Sequence, residues 1–579
     1  MIHKLEGSYN INKLRVIHLF EADYNGLLGI LFNRRVLYQA EQNNILNNNQ
    51  WGCRPHRQAE DALMLKELTY NMAITTKTTL ATFDNDATGC FDRVPCTIAM
   101  LSSRRLGATK NICQLQADTL RHIEHKLRTA FGTSNSYYTS SFDREIHGQG
   151  QGSRAGPPTW VFVSSLLLDC MDQLANGLIF TCPKKDLFHQ RTNDAFVDDV
   201  TGYSNNFLEE LTGPPTINKV LQRMQEDATL WSRLLHISGG KLALHKCLYY
   251  IAAWRWNRGR ASFVPATTIL PTISLDNGQH KSAIQHYECT QAHRTLGQFK
   301  APNGDNSTQL KHMQTKSHSW LSAIQEANLT RQEAHAAYAM IWFPSLSYGL
   351  GTTNLSYNEL NQLQKPIINY ILPALGYNRH LPRAVVFGSY KYGGLNMKHL
   401  YIDQGTKHVT QFLKYYRYGG SIGQLLKISL RWLHIVAGFS FCPLAKPQIN
   451  YHHIEDKWYQ STIRFLYECN ASIITNTRFQ ILCRVNDSCL MEDFLLEAPT
   501  ASELKQLNLC RLYLRVITLS DICECNGLTI TRQCWEGIRP INTTQLWPNQ
   551  AKPPSSHWTT WRKFLARCYL NDDDITRKK

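Results

Sequence analysis

Two adjacent aspartates, Asp198 and Asp199, lie between apolar residues in the stretch FVDDV. The residues on either side, 196–197 and 200–203, have the composition of two short β-strands. Partly buried carboxylates this close to each other repel and need compensation. A divalent cation such as Mg²⁺, which prefers oxygen ligands, would supply that compensation. A solvated turn that happens to contain two aspartates is the alternative, and this stretch alone leaves it open.

A second group of carboxylates, Asp84, Asp86 and Asp92, lies upstream in the stretch FDNDATGCFDR. The preceding residues, 78–83, are β-branched or apolar and predict a strand. Because side chains alternate along a strand, Asp84 and Asp86 would point to the same face. If one carboxylate of this group lay beside Asp198 and Asp199, the three would complete a site for two metal ions. Such a site is suited to in-line phosphoryl transfer. Helix capping after a strand is the alternative.

Length and charge indicate the class of protein. The chain has 579 residues, far too many for one hydrophobic core, so several domains are expected. The net charge of +17 favours a polyanionic partner, with nucleic acid as the first candidate and a basic enzyme without nucleic acid as the alternative. The 17 cysteines contain no CxxC pair, and neither a signal peptide nor a run of apolar residues long enough to span a membrane is found. We therefore expect an intracellular protein, cytoplasmic or nuclear, with no membrane partner.

Periodicity and turn signals predict the main elements. The predicted elements are an amphipathic helix from Glu60 to Met72 with Leu63, Leu65, Leu68 and Met72 on its buried face, a helix from Thr159 to Leu174, a helix from Asn218 to Leu235 and a hairpin turn at Leu275–Gly278. Beyond about residue 310 the pattern becomes mainly helical, with a plausible boundary at Phe441–Gln448, which contains two prolines. The capping-box spacing of Thr500 and Glu503 predicts a helix running towards Val516.

The segment from His147 to Trp160, HGQGQGSRAGPPTW, is rich in glycine and precedes an apolar helical segment. Two prolines and the lack of a suitably placed acidic residue argue against a dinucleotide fingerprint. A backbone-exposing loop that approaches a nucleotide or a template fits better, because glycine has no side chain to keep a ligand away. A plain flexible loop is the alternative.

Taken together and in order, these motifs resemble those of the reverse transcriptases of retroelements, especially elements without long terminal repeats. The motifs that carry the resemblance are IHK (2–4), LRVIHL (14–19), WGCRPHRQAEDAL (51–63), DATGCFD (86–92), QGSRAGP (151–157), FVDD (196–199), GGKLALHKC (239–247) and RTLGQF (294–299). The resemblance is strong over residues 1–300 and less specific to about residue 440. Each motif is weak alone, but their joint order and spacing are highly specific.

The resemblance implies an α+β right-hand polymerase with fingers, palm and thumb and a mainly helical C-terminal extension. The implied domains are short fingers at 1–77, for which truncation is an open alternative, a palm with interleaved fingers elements at 78–305, a helical thumb or connection at 306–440, and an extension of unknown role at 441–579. The implied activity is RNA-directed DNA synthesis, with an RNA template, a DNA primer and deoxynucleoside triphosphates as partners and no clear protein partner.

The resemblance also implies roles for individual residues. Asp86, Asp198 and Asp199 would hold two Mg²⁺ ions, with Mn²⁺ as a possible substitute, while Asp92 would cap or brace the next helix and Asp84 remains a minor contender for the ligand role of Asp86. Phe91 would lie under the sugar and exclude a 2′-hydroxyl, Lys4 and Arg15 would grip the triphosphate, and Gln151 and Gly152 would line the nucleotide and the template. Lys246 would donate a proton to pyrophosphate, although a solvent-facing lysine is an equal alternative.

Several features leave other functions open. The fingers are short, no four-carboxylate ribonuclease H pattern and no complete endonuclease are evident, and the segment KHVTQFLKYYR (407–417) fits either a phosphate-tracking helix or an amphipathic thumb helix. We therefore expect a polymerase segment of an element or a truncated copy. A catalytically decayed or domesticated copy that only binds RNA is the first alternative. An RNA-directed RNA polymerase is the second, and the bulky Phe91 argues against it.

Overall fold

The computed structural model describes residues 2–3, 14–15, 17–129, 131–141, 145–183, 185–206, 214–257, 260–276, 281–437, 441–449, 451–475, 500, 502, 504–505 and 508. Lys4 and nearly all of the helix predicted from Thr500 to Val516 lie outside these residues.

The described residues form an α+β fold, as the sequence predicted. The strands are β1 (Ile2–His3), β2 (Leu14–Arg15), β3 (Leu80–Asp86), β4 (Arg128–Thr129), β5 (Gly132–Thr133), β6 (Leu178–Thr181), β7 (Phe188–Arg191), β8 (Asn193–Phe196), β9 (Asp199–Asn205), β10 (Leu248–Ala252), β11 (Trp254–Asn257), β12 (Arg260–Phe263), β13 (Ser274–Asp276), β14 (Lys281–Ala283), β15 (Gln285–His286), β16 (His293–Thr295) and β17 (Gln298–Lys300). The helices are α1 (Ala22–Leu28), α2 (Tyr38–Gln42), α3 (Ala59–Thr76), α4 (Cys90–Arg93), α5 (Cys96–Arg105), α6 (Lys110–His122), α7 (Gly156–Leu174), α8 (Pro214–Ile237), α9 (Ser307–Glu326), α10 (Arg331–Ala336), α11 (Phe343–Ser347), α12 (Tyr357–Ala374), α13 (Arg383–Phe387), α14 (Leu400–Tyr418), α15 (Gly420–Ala437) and α16 (Lys457–Glu468).

A five-stranded sheet in the order β15–β10–β3–β9–β8 forms the centre of the N-terminal half. β3 lies in its middle and pairs antiparallel with both β10 and β9. Helices α5, α7 and α8 share a hydrophobic core with one face of this sheet, to which Val161, Phe162 and Trp231 contribute buried side chains. The sheet therefore holds β3, and the aspartates at its end, between two hydrogen-bonded neighbours.

Helix α3 differs from its prediction. It was expected to be amphipathic, but every residue from Asp61 to Thr76 is buried. The reason is that it packs between the sheet and α15, so its polar side also faces protein. Lys66 and Glu67 are tolerated there because each meets a buried partner of opposite charge, Asp84 and Lys300 respectively.

Between Ser307 and Glu468 the described part of the chain is mainly helical, as predicted. One apolar cluster joins Leu68 of α3 to Leu426 of α15, Leu444 and Trp458, so this core extends across residue 440. The domain limits and the division into fingers, palm and thumb stay predictions. None of the helices in the described part of the chain is long and apolar enough to cross a membrane.

The other predicted elements are confirmed with shifted ends. The strand predicted at 78–83 is β3 at Leu80–Asp86, the helix predicted at Thr159–Leu174 is α7, and the helix predicted at Asn218–Leu235 is α8. The hairpin turn predicted at Leu275–Gly278 is flanked by β13 and β14, which pair antiparallel. Residues 277–280 between these strands lie outside the described residues.

Candidate functional site

Asp86 and Asp199 lie directly opposite each other at the end of the central strands. In the antiparallel pair β3–β9, Asp86 is the cross-strand partner of Asp199, and Asp84 is that of Thr201. β8 and β9 are joined by the two residues Val197 and Asp198, and Phe196 is opposite Asp199. Asp199 is thus the first residue of a strand, and the turn brings Asp198 to the same end of the sheet.

The carboxylates at this end of the sheet repel one another. Burial raises the pKa of Asp199 to about 6, and the neighbouring charges of Asp198 and Asp86 act in the same direction. Carboxylates in this arrangement match the chemistry of a site for a hard divalent cation, which would relieve the repulsion. Within the part of the chain that is described, however, no three His, Cys, Asp or Glu side chains already surround a common point. That Asp86, Asp198 and Asp199 hold a cation therefore stays a prediction.

Asp84 shares the strand face of Asp86 but has a different environment. Its carboxylate accepts hydrogen bonds from Lys66 Nζ at 2.7 and 2.9 Å and from Thr201 Oγ1 at 2.6 Å. Burial alone would raise the pKa of Asp84, but the Lys66 ammonium and these hydrogen bonds outweigh it, and the pKa is lowered. Asp84 is thus an ionised carboxylate with its own buried counter-charge, which suits a structural role better than metal binding.

Lys246 lies beside Asp86. Its Nζ forms an ion pair with the Asp86 carboxylate, and 58% of its side chain is exposed. The segment before it runs along the end of β3, where Ala243 N donates to Asp86 O at 2.9 Å and Thr88 N donates to Lys241 O at 2.7 Å. The motif GGKLALHKC is therefore adjacent to the motif that contains Asp86.

Phe91 is half-buried in the short helix α4 that follows β3. Its ring meets the edge of the Trp160 ring, with centroids 6.5 Å apart. The Trp160 indole Nε1 in turn donates to the backbone carbonyl of Val197 at 2.6 Å, in the turn that carries Asp198. Trp160 therefore connects the two aspartate-containing motifs, a role that the sequence analysis missed.

The glycine-rich loop packs against the same region. Gln149 N donates to Phe91 O at 2.7 Å, and Gln151 Nε2 donates to Asp92 Oδ2 at 2.7 Å. Asp92 was expected to cap or brace the next helix, whereas here its side chain accepts a hydrogen bond from the loop. Gly152 has a φ of +124°, and a Cβ at this position would lie 2.2 Å from the carbonyl oxygen of His18, so the close approach requires glycine.

A cavity of about 350 Å³ opens beside the aspartates. Asp84, Asp86, Asp199 and Lys246 line one part of it. The other part includes His293–Thr295 of β16, the strand in which the RTLGQF motif begins. The hairpin turn that follows contains Leu296 and Gly297, both of which have positive φ. Several predicted motifs thus contribute to one cleft that is large enough for a small ligand.

Among the predicted site residues, Asp86, Asp199 and Lys246 line this cleft, whereas Asp198, Phe91, Gln151 and Gly152 do not. Two more cannot be placed relative to it. Arg15 lies in β2, where it pairs with Ile2, and nothing is described of its side chain. Lys4 lies outside the described residues.

Lys66 and Asn25 also contribute to this region and were not predicted from the sequence. Asn25 Nδ2 donates to Gly152 O at 3.0 Å and its Oδ1 accepts from Arg154 N at 2.8 Å, which fixes the glycine-rich loop. A signal for Lys66 was available, because Lys66 and Glu67 interrupt an apolar stretch of the helix, and a following strand with an extra aspartate suggests a buried pair. Asn25 gave no comparable signal, since its partners are backbone atoms 127 and 129 residues away.

Comparisons with known proteins give distant structural matches. The chain is similar to the telomerase from Candida albicans in complex with the TWJ fragment of telomeric RNA, with a TM-score of 0.33 and 11% identity over 71% of this chain and 54% of that chain. It is also similar to the telomerase from Candida tropicalis in complex with the same kind of fragment, with a TM-score of 0.27 and 11% identity over 76% of this chain and 58% of that chain. The chain thus spans little more than half the length of these telomerase chains. No family model and no curated protein matches it.

Proposed function

We propose that this chain is an RNA-directed DNA polymerase of a retroelement that extends a DNA primer on an RNA template. The observation that carries the proposal is the register of β3 and β9, in which Asp86 is opposite Asp199 and next to the turn that contains Asp198. Two carboxylate-bearing motifs far apart in sequence thus meet at one end of a sheet. The order of the surrounding sequence motifs and the net charge of +17 support a nucleic-acid substrate.

In the proposed reaction the 3′-hydroxyl oxygen of the primer attacks the α-phosphorus of a deoxynucleoside triphosphate. A new P–O bond forms, the bond to pyrophosphate breaks, and the hydroxyl proton is lost to solvent. Two Mg²⁺ ions, or Mn²⁺, held by Asp86, Asp198 and Asp199 would stabilise the attacking and leaving oxygens.

The remaining residues orient the substrate and move a proton. Lys246 is mostly exposed and can turn from Asp86 to protonate the leaving pyrophosphate. Gln151 and Gly152 would face the nucleotide and the template. Arg15 and Lys4 would bind the triphosphate, Arg15 through its planar fork and Lys4 as a point charge.

The direct test is extension of a labelled DNA primer on an RNA template by the full chain with Mg²⁺. We expect incorporation that Asp198→Asn lowers by about 10³-fold, because a ligand of the reacting centre is lost. Asp118→Asn is the matched control, since Asp118 is exposed on α6 and far from these motifs in sequence. Incorporation no higher than that of Asp198→Asn would reject the proposal, and RNA binding without incorporation would favour the decayed copy.

Phe91→Val is expected to admit ribonucleotides. The side chain packs against Trp160, and the glycine-rich loop is bound to the backbone carbonyl of Phe91, so a shorter side chain would open space under the sugar while that hydrogen bond stays. The ratio of kcat/KM for ribonucleotides to that for deoxynucleotides should rise by about 10–100-fold, which is typical of a steric contact.

Phe91→Tyr is the control for this experiment, because it retains the ring and should retain the discrimination. Unchanged sugar discrimination in Phe91→Val would show that Phe91 is a core residue and not the proposed gate.

A further inference from the structure

Val197 has an unfavourable backbone conformation at the start of the turn that carries Asp198. Its φ is +61°. A residue branched at Cβ rarely adopts positive φ, and two-residue hairpin turns normally place Gly, Asn or Asp at such positions. The surrounding structure must therefore hold Val197 in place.

The side chain of Gln50 provides one half of that restraint. Gln50 is fully buried, and its Oε1 accepts hydrogen bonds from Val197 N at 3.3 Å and from Gly52 N at 2.9 Å. Its Nε2 donates to Ser164 Oγ of α7 at 2.8 Å. On the other side, the carbonyl of Val197 accepts the hydrogen bond from Trp160. Both polar backbone atoms of Val197 are thus held by side chains from two different segments.

The backbone around Gln50 provides the second half. Trp51 N donates to Ala195 O at 2.7 Å, and Ala195 N donates to Asn49 O at 2.8 Å, so this segment adds a short parallel pairing to the edge strand β8. A Cβ on Gly52 would lie 2.4 Å from Val197 N and 2.6 Å from Val197 Cγ2. Only glycine allows the segment to approach the turn this closely.

We infer that Gln50 and Gly52, together with Trp160, form a positioning clamp that keeps Val197 at positive φ and thereby sets the location of Asp198. The inference rests on the proposed function for the role of Asp198. Gln50, Gly52 and Trp160 are positioning residues, since they act through the backbone of the turn. Without the clamp the turn relaxes to a backbone that valine favours, and Asp198 moves relative to Asp86.

The test compares Gln50→Met in two backgrounds, the unchanged chain and the Val197→Gly variant. In the unchanged chain we expect kcat to fall by about 10–100-fold with little change in the KM for primer–template, because a small displacement at the reacting centre costs rate more than binding. In the Val197→Gly background the same change should cost less than about threefold, because glycine adopts positive φ without strain. Equal fold losses in both backgrounds would overturn the clamp.

Two further variants keep the test interpretable. Trp160→Phe removes the indole N–H that donates to Val197 O. If Gln50→Met does not fold, Trp160→Phe is tested in the same two backgrounds instead. Ser164→Ala is the matched control, because it removes a hydrogen bond of Gln50 but leaves both bonds to Gln50 Oε1.

A readout independent of activity separates the clamp from the proposed function. Hydrogen exchange of the hairpin residues 193–205 should accelerate by about tenfold or more in Gln50→Met, with a smaller acceleration in the Val197→Gly background. This result supports the clamp even in a protein that incorporates no nucleotide. Exchange that is unchanged by Gln50→Met would overturn it even in an active polymerase.

Discussion

Asp86→Asn is expected to abolish nucleotide incorporation with little loss of stability. Asp84→Asn is expected to lower the stability and to retain most of the incorporation. Asp86 is half-buried, and its ion pair with the mostly exposed Lys246 contributes about 0–1 kcal/mol. Its removal also relieves repulsion with Asp199. Loss of a proposed ligand should nevertheless lower incorporation by about 10³-fold.

Asp84→Asn leaves Lys66 buried without its counter-charge. The Lys66 side chain is only 3% exposed, so we expect the free energy of unfolding to fall by about 3 kcal/mol. Incorporation per folded molecule should stay within about tenfold of that of the unchanged protein. The reason is that the Asp84 carboxylate already accepts hydrogen bonds from Lys66 and Thr201 and is not a proposed metal ligand.

The measurements are urea unfolding and primer extension on the same preparations, the latter at a temperature well below each unfolding midpoint. The two aspartates lie on the same face of one strand, separated by a single residue, so each variant is the control for the other. The reverse order of activities would assign the ligand role to Asp84 and would shift the register of the whole motif by two residues.

The sequence predicted the parts of this site that depend on local pattern. The strand before Asp86, the strands around Asp198 and the proline-started helix α7 all follow from composition and turn signals over a few residues. Order and spacing of the motifs then indicated which segments meet. The pairing of Asp86 with Asp199 agrees with that expectation, although it is a property of the sheet and not of either segment alone.

The features that the sequence did not predict depend on partners far away in the chain. The helix that contains Lys66 and Glu67 was predicted to be amphipathic, but both residues are buried, and Asp84 and Lys300 neutralise them there. Asp92 looked like a helix brace, but Gln151 of the glycine-rich loop occupies its carboxylate. In each case the local pattern was ambiguous, and tertiary contacts selected one of the outcomes.

Lys66→Met is the second change with a large expected effect. It should lower the free energy of unfolding by about 3–5 kcal/mol, because Asp84 would remain as an uncompensated charge in the core beneath the site. The cost should come from the stranded charge and not from lost packing, since methionine resembles the lysine stem in length and volume.

The double variant Lys66→Met/Asp84→Asn distinguishes these two causes. Replacing both charged partners removes the uncompensated charge, so most of the lost stability should return even though the ion pair is gone. Lys300→Met is the matched control, because Lys300 forms an equivalent buried pair with Glu67, the next residue of the same helix. Asp84→Asn should not rescue Lys300→Met. If Lys66→Met/Asp84→Asn were no more stable than Lys66→Met alone, Lys66 would stabilise the fold through packing, and the buried pair would not explain why Asp84 is unavailable to a metal.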